Sequence, residues 1–205
     1  AQFDSFRYRM DHGIFEGSNT KDFSQASRQY RYYGYTDACW YELTPENVGS
    51  KYRYLRYIGH TGSYCNVNEV EFYNSKGQKL TGKILGTQGM PGHTKETVFD
   101  GDILTGFNGI SPDGHWVGLE LAQPSDVAKI RFIPRNDGNC IEVGDMYQLL
   151  VYDRGKWLPL AVTKAKATEL VLENMPSDGL YLLKDLTKGI EERIFTYEDG
   201  QQLWW

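Results

Sequence analysis

Apolar and polar positions alternate with a period of two along much of this chain, the spacing that places every second side chain of a strand on one face. Between Ala128 and Phe132, Ile130 and Phe132 share one face and Lys129 and Arg131 the other, which predicts a half-buried strand. The runs Val117 to Leu121, Tyr147 to Tyr152 and Leu170 to Leu172 read the same way. Between them stand Ser111-Pro-Asp-Gly114, Arg135-Asn-Asp-Gly-Asn139, Asp153-Arg-Gly155 and Pro176-Ser-Asp-Gly179. These are turn sequences, because Gly, Asn and Asp tolerate positive φ and Pro pre-sets a bend. Only Val162 to Glu173 invites a helix, and its Leu170/Leu172 alternation with Thr and Val suits a strand better. Many short strands at turn spacing predict an all-β fold, a sandwich or jelly roll.

Part of the pattern occurs twice. Tyr52-Arg-Tyr-Leu-Arg-Tyr57, a loop, Asn68-Glu-Val-Glu-Phe72 and Gly77-Gln-Lys-Leu80 are echoed by Leu180-Tyr-Leu-Leu183, a loop, Glu191-Glu-Arg-Ile-Phe195 and Gly200-Gln-Gln-Leu203. The match sets Glu69 against Glu192 and Phe72 against Phe195, and it predicts two related β units.

Composition narrows the possibilities. The 205 residues suffice for one large or two small domains, and 40% hydrophobic with 14% aromatic content supplies a packed core. A formal charge of -5 and a pI near 5.4 leave no surplus cations for phosphates beyond the pairs Arg7/Arg9 and Arg53/Arg56, which argues against a nucleic-acid partner. No stretch approaches the roughly 18 consecutive apolar residues of a membrane span, so no membrane insertion is expected. Cys39, Cys65 and Cys140 are too far apart for a C-x-x-C motif and odd in number; either Cys39 pairs with Cys65 or, as is expected, all three are buried thiols.

Val98-Phe-Asp-Gly-Asp-Ile-Leu-Thr105, then His115-Trp-Val-Gly-Leu-Glu-Leu121, then Ile130-Arg-Phe-Ile-Pro-Arg-Asn-Asp-Gly-Asn139 resemble the first half of a discoidin domain, the coagulation-factor 5/8 type C family. Tyr147-Gln-Leu-Leu-Val-Tyr152, Lys156-Trp157 and the strands from Tyr181 to Tyr197 resemble its second half. The resemblance implies a galactose-binding-domain-like jelly roll over residues 81–205, preceded by a smaller related β unit over residues 1–80. In that smaller unit, Gly13-Ile-Phe-Glu-Gly-Ser-Asn19 through Tyr73 resembles only a second half. The ending, Glu191 to Trp205, is similar to the C-terminus of such modules in Bacteroidetes surface proteins. This implies a secreted, periplasmic or cell-surface parent with domains upstream.

Calcium takes about six to eight oxygen ligands, and Asp100-Gly-Asp-x-x-Thr105 offers two carboxylates and a hydroxyl in one turn, with Gly101 letting carbonyls converge. The resemblance implies a structural calcium held by the Thr97 carbonyl, Asp100, Asp102, Thr105 through carbonyl and hydroxyl, and Glu192 with the Glu191 carbonyl. Such an ion would staple the last strand to the first loop. It also implies a sugar site on the loops at one end. Arg135 and Asn139 would grip hydroxyls, with His115 and Phe107 on the same rim. An enzyme is not expected: Cys65 with His60, and Asp11 with His12, come nearest to reactive pairs, but neither sits in a recognisable motif. Phosphate-binding and zinc-peptidase signatures are missing. The expected function is a non-catalytic carbohydrate-binding module with a structural calcium. The alternative is a structural or protein-interaction module that positions an upstream catalytic domain.

Overall fold

The computed structural model describes residues 8–34, 36, 39–136, 141–167, 169–187 and 190–204. Strand accounts for 46% of the chain and helix for 2%, so the expected all-β class holds. The chain divides into two compact units, Gln2–Asn136 and Asp137–Trp205.

The first unit contains β1 (Ile14–Ser18), β2 (Ser27–Arg31), β3 (Tyr41–Leu43), β4 (Lys51–Ile58), β5 (Glu69–Tyr73), β6 (Gly82–Gly86), β7 (Trp116–Asp126) and β8 (Lys129–Ile133), with one turn of 3-10 helix at Lys95–Val98. A five-stranded antiparallel sheet runs in the order β2-β1-β4-β7-β6, and a three-stranded one in the order β3-β8-β5. Phe15, Leu55, Tyr57, Val117 and Leu119 from the larger sheet share one buried cluster with Val70, Phe72, Ile130 and Phe132 from the smaller. The Phe15 ring lies 5.5 Å from Phe132 and 6.4 Å from Phe72, so the sheets close on each other in a sandwich-like way, with tilted and edge-on aromatic pairs filling the gap. The alternation in β8 is as the sequence predicts: Ile130 and Phe132 are fully buried, and Lys129 and Arg131 are half-buried.

A division at residue 80 is overturned by the strand pairing. β4 hydrogen-bonds to β7 and β5 to β8, so the ladders of a single unit run across the expected boundary. Residues 14–73 cannot bury their apolar faces without the strands at 116–133, and the break falls after Asn136 instead.

The second unit has one antiparallel sheet in the order β10-β9-β11-β12-β13, from β9 (Met146–Asp153), β10 (Lys156–Lys164), β11 (Tyr181–Asp185), β12 (Ile190–Glu198) and β13 (Gln201–Trp204). Arg154 and Gly155 both take positive φ (45° and 82°), the two-residue turn that suits the twist of the β9–β10 hairpin. Tyr147, Leu149, Ala165, Tyr181, Leu183 and Phe195 form its core. Leu170 and Leu172 are partly buried against that core but are not a strand, and among the described residues they have no ladder partner.

Candidate functional site

The Asp100 loop is a convergence of oxygens. Thr105 Oγ1 lies 2.9 Å from Asp100 Oδ2, 3.0 Å from the Asp102 carbonyl and 3.3 Å from the Thr97 carbonyl. One hydroxyl proton can serve only one of these acceptors. Gly101 at φ +84° turns the chain here, and its N–H donates 2.7 Å to Glu69 Oε1. Glu69 is fully buried at the start of β5, and its second oxygen, Oε2, has no hydrogen-bond donor among the described residues. Burial is the main cause that pushes its carboxyl up to about 8; the Gly101 N–H pulls the other way and neighbouring Asp100 adds to the rise.

A buried carboxylate with an orphaned oxygen is costly unless a cation or proton neutralises it. Glu69, the Asp100 carboxylate, the Thr97 and Asp102 carbonyls and the Thr105 hydroxyl are all hard oxygen donors, so the residues fit calcium in chemistry. Among the described residues no cluster of three or more His, Cys, Asp or Glu side chains is suited to a metal. A cation here would draw on backbone and hydroxyl oxygens as much as on carboxylates.

Glu69 was not among the candidate ligands read from the sequence, although the internal repeat already pairs it with Glu192. Glu191 and Glu192 belong to β12 of the second unit, and their side chains lie outside the described residues. Thr97, Asp100, Asp102 and Thr105 do come together.

The expected sugar rim needs correcting at two positions. Phe107 is buried at 2% exposure: its N–H donates to the Val67 carbonyl, and the ring joins the core between the sheets. His115 is also buried, and both ring nitrogens are engaged. Nε2 accepts the Ser111 backbone N–H (3.2 Å) and sits 2.8 Å from Ser111 Oγ, while Nδ1 is 2.9 Å from Thr87 Oγ1. Because a backbone N–H can only donate, Nε2 is the acceptor and the ring proton sits on Nδ1. A Cβ at Gly109 would collide with this ring, so glycine is required there. The serine–imidazole contact closes the 111–115 turn and has Thr87, not a carboxylate, behind it.

Arg135 remains at the loop end. Its guanidinium is 3.3 Å from Asn66 Oδ1; the Asn66 amide donates 2.8 Å to Asn108 Oδ1, and the Asn108 amide reaches Met90 Sδ at 3.3 Å. Asn139 lies outside the described residues. Nothing in the local sequence marks Asn66 or Asn108, since only the folded loops bring them beside Arg135. Cys65 is a free, buried thiol that burial pushes up to about 12, so it neither bridges Cys39 nor supplies a thiolate nucleophile. No helix among the described residues is long and apolar enough to cross a membrane.

Comparison of the chain with protein-family models, curated protein sequences and solved structures found no match.

Proposed function

We propose that this chain is a non-catalytic carbohydrate-binding module of a secreted or cell-surface protein, held in shape by a structural calcium. On this reading the first unit is a discoidin-like jelly roll whose two halves occur in permuted order. The stretch from Gly13 to Tyr73 resembles a second half and the stretch from Val98 to Asn136 a first half, and the two share one core. The observation that carries the reading is the Gly101 N–H donated to Glu69: a strand of one half supplies the buried carboxylate that meets the oxygen-rich loop of the other. Calcium held by both would lock the loop end on which Arg135 and Asn66 stand.

Hydroxyl ligands exchange bonds to water for bonds to protein, each netting about 0.5–1.5 kcal/mol, so a dissociation constant of about 0.1–10 mM is expected and useful retention needs several copies or a multivalent surface. A glycan-array screen of the intact chain in calcium and in chelator tests this, with Arg135→Ala as the loss-of-binding variant. Silence on every glycan sinks the carbohydrate reading, and binding that ignores both calcium and Arg135 removes the calcium and the Arg135 location from it.

One observation favours a structural or protein-interaction role instead. Phe107 and His115 fill space that a sugar rim would leave open. A chain that stays silent on every glycan but melts lower in chelator takes this second reading.

A further inference from the structure

Strained backbone gathers at the loop end of the first unit. His12, Tyr64 and Cys65 are non-glycine residues in the left-handed region, at φ 62°, 55° and 52°. Such residues cost about 1–3 kcal/mol each and persist only where their surroundings over-determine them, most often at ligand sites. Here the loops brace each other. His12 N–H donates to the Tyr32 carbonyl (2.8 Å), Tyr64 N–H to Pro112 (3.1 Å) and Gly109 N–H to Tyr64 (2.8 Å).

The bracing presents a defined set of groups. Asp11 Oδ1 accepts the Gly34 N–H at 2.7 Å and Oδ2 lies 2.9 Å from His12 Nδ1. The Gly34 hydrogen bond, aided by His12, holds the Asp11 carboxyl below its usual range, so it is an ionised acceptor at neutral pH. With Nδ1 turned to Asp11, His12 offers Nε2 to solvent from a side chain 58% exposed. Tyr33, 65% exposed, meets the His12 ring edge-on at 5.2 Å. Close to Asp11 and His12, His60 Nδ1 is buried with no hydrogen-bond partner among the described residues. Arg9 already lies over the Tyr64 ring at 5.0 Å, so the chain itself occupies the cation site of that ring.

We propose that Asp11, His12 and Tyr33 form a subsite for a neutral pyranose. The apolar C–H face of the sugar stacks on Tyr33, and its hydroxyls donate to the spare lone pairs of Asp11 and exchange a hydrogen bond with His12 Nε2. Asp11 repels an anionic sugar, and its charge is already shared by Gly34 and His12, which leaves little for a cationic one. The inference rests on the carbohydrate-binding reading but uses neither Arg135 nor Asn66.

The test is a titration of the intact chain, isotope-labelled for NMR, with the methyl pyranosides of glucose, galactose and N-acetylglucosamine in turn. The Tyr33 and His12 ring signals should shift and saturate with at least one of them at a dissociation constant of about 0.1–10 mM. Tyr33→Ala should weaken this at least about tenfold, a change of ~1.4 kcal/mol, and Asp11→Asn should weaken it similarly. Tyr33→Phe should keep it, as should Tyr152→Ala, which removes an exposed ring of the second unit. Silence of both rings with all three sugars overturns the subsite, as does unchanged binding by folded Tyr33→Ala. Signals of Arg135 and Asn66 separate the two ideas: if they alone respond, the subsite fails and carbohydrate binding stands. If no signal responds, the subsite fails and the glycan-array screen decides the carbohydrate reading, and if only Tyr33 and His12 respond, the subsite stands and the Arg135 location is lost.

Discussion

The two copies of the repeated strand pair, β4 with β5 and β11 with β12, carry matched residues and end in different architectures. Phe72 and Phe195 are both buried, at 1% and 6% exposure, as the match requires. Yet β11 and β12 are neighbours in one sheet, with Tyr181 opposite and stacked on Phe195 at 5.3 Å. β4 and β5 belong to different sheets, where β4 lies between β1 and β7 and β5 is the edge strand beside β8. Four residues separate β11 from β12, whereas the ten between β4 and β5 are enough to carry the chain from one sheet to the other. Crossing has a chemical consequence. It delivers Glu69 fully buried beside the Asp100 loop, where a hairpin would have left a strand carboxylate near its own partner strand. The strand pattern thus sets which side chains turn inward, and the connection and available partners set what they meet.

The largest expected effect is on the cores. Phe72→Ala should cost about 3–5 kcal/mol, because the ring is enclosed between two sheets. Phe195→Ala should cost less, since a cavity of about 140 Å³ already adjoins Phe195 and its core is smaller. Denaturant titration followed by amide exchange in each unit checks both, and an equal loss for the two would break the contrast.

Next comes the carboxylate itself. Glu69 is raised from 4.5 to about 8, so without calcium its protonated form contributes stability that is complete below about pH 4.5 and lost as pH rises through 8. Calcium competes with that proton; its affinity should therefore rise with pH. At about 100 times its dissociation constant the ion should add about 2.7 kcal/mol. Glu69→Gln should abolish both the calcium response and the pH slope in melting experiments, and Glu192→Gln should leave them. The reverse result would return the ion to the ligand set that the family resemblance implies.

The smallest effect tests the connections. Lengthening 186–189 to match 59–68 should cost only roughly 0.8 kcal/mol of loop-closure entropy and leave the β11–β12 ladder protected from amide exchange. Loss of that protection would show that loop length, and not the Tyr181–Phe195 pairing, chooses hairpin over crossover.

Much of the local architecture was legible in the sequence. Period-two alternation located β8 and its inward residues, Gly and Asp marked the β9–β10 turn, and Asp100-Gly-Asp with Thr105 marked the oxygen-rich loop. These features depend on backbone sterics and side-chain periodicity within a few residues, which the chain carries wherever it goes. Other features depended on distant segments. Leu170 and Leu172 alternate like a strand but found no ladder, and Phe107 reads as a loop residue until its hydrogen bond to Val67 draws it into the core. The repeat pointed to Glu69, but its burial is set by strands and a loop that lie far from it in sequence. Whether a carboxylate is a solvated strand charge or a buried group raised to about 8 is a matter of what surrounds it, and only the tertiary structure supplies those surroundings.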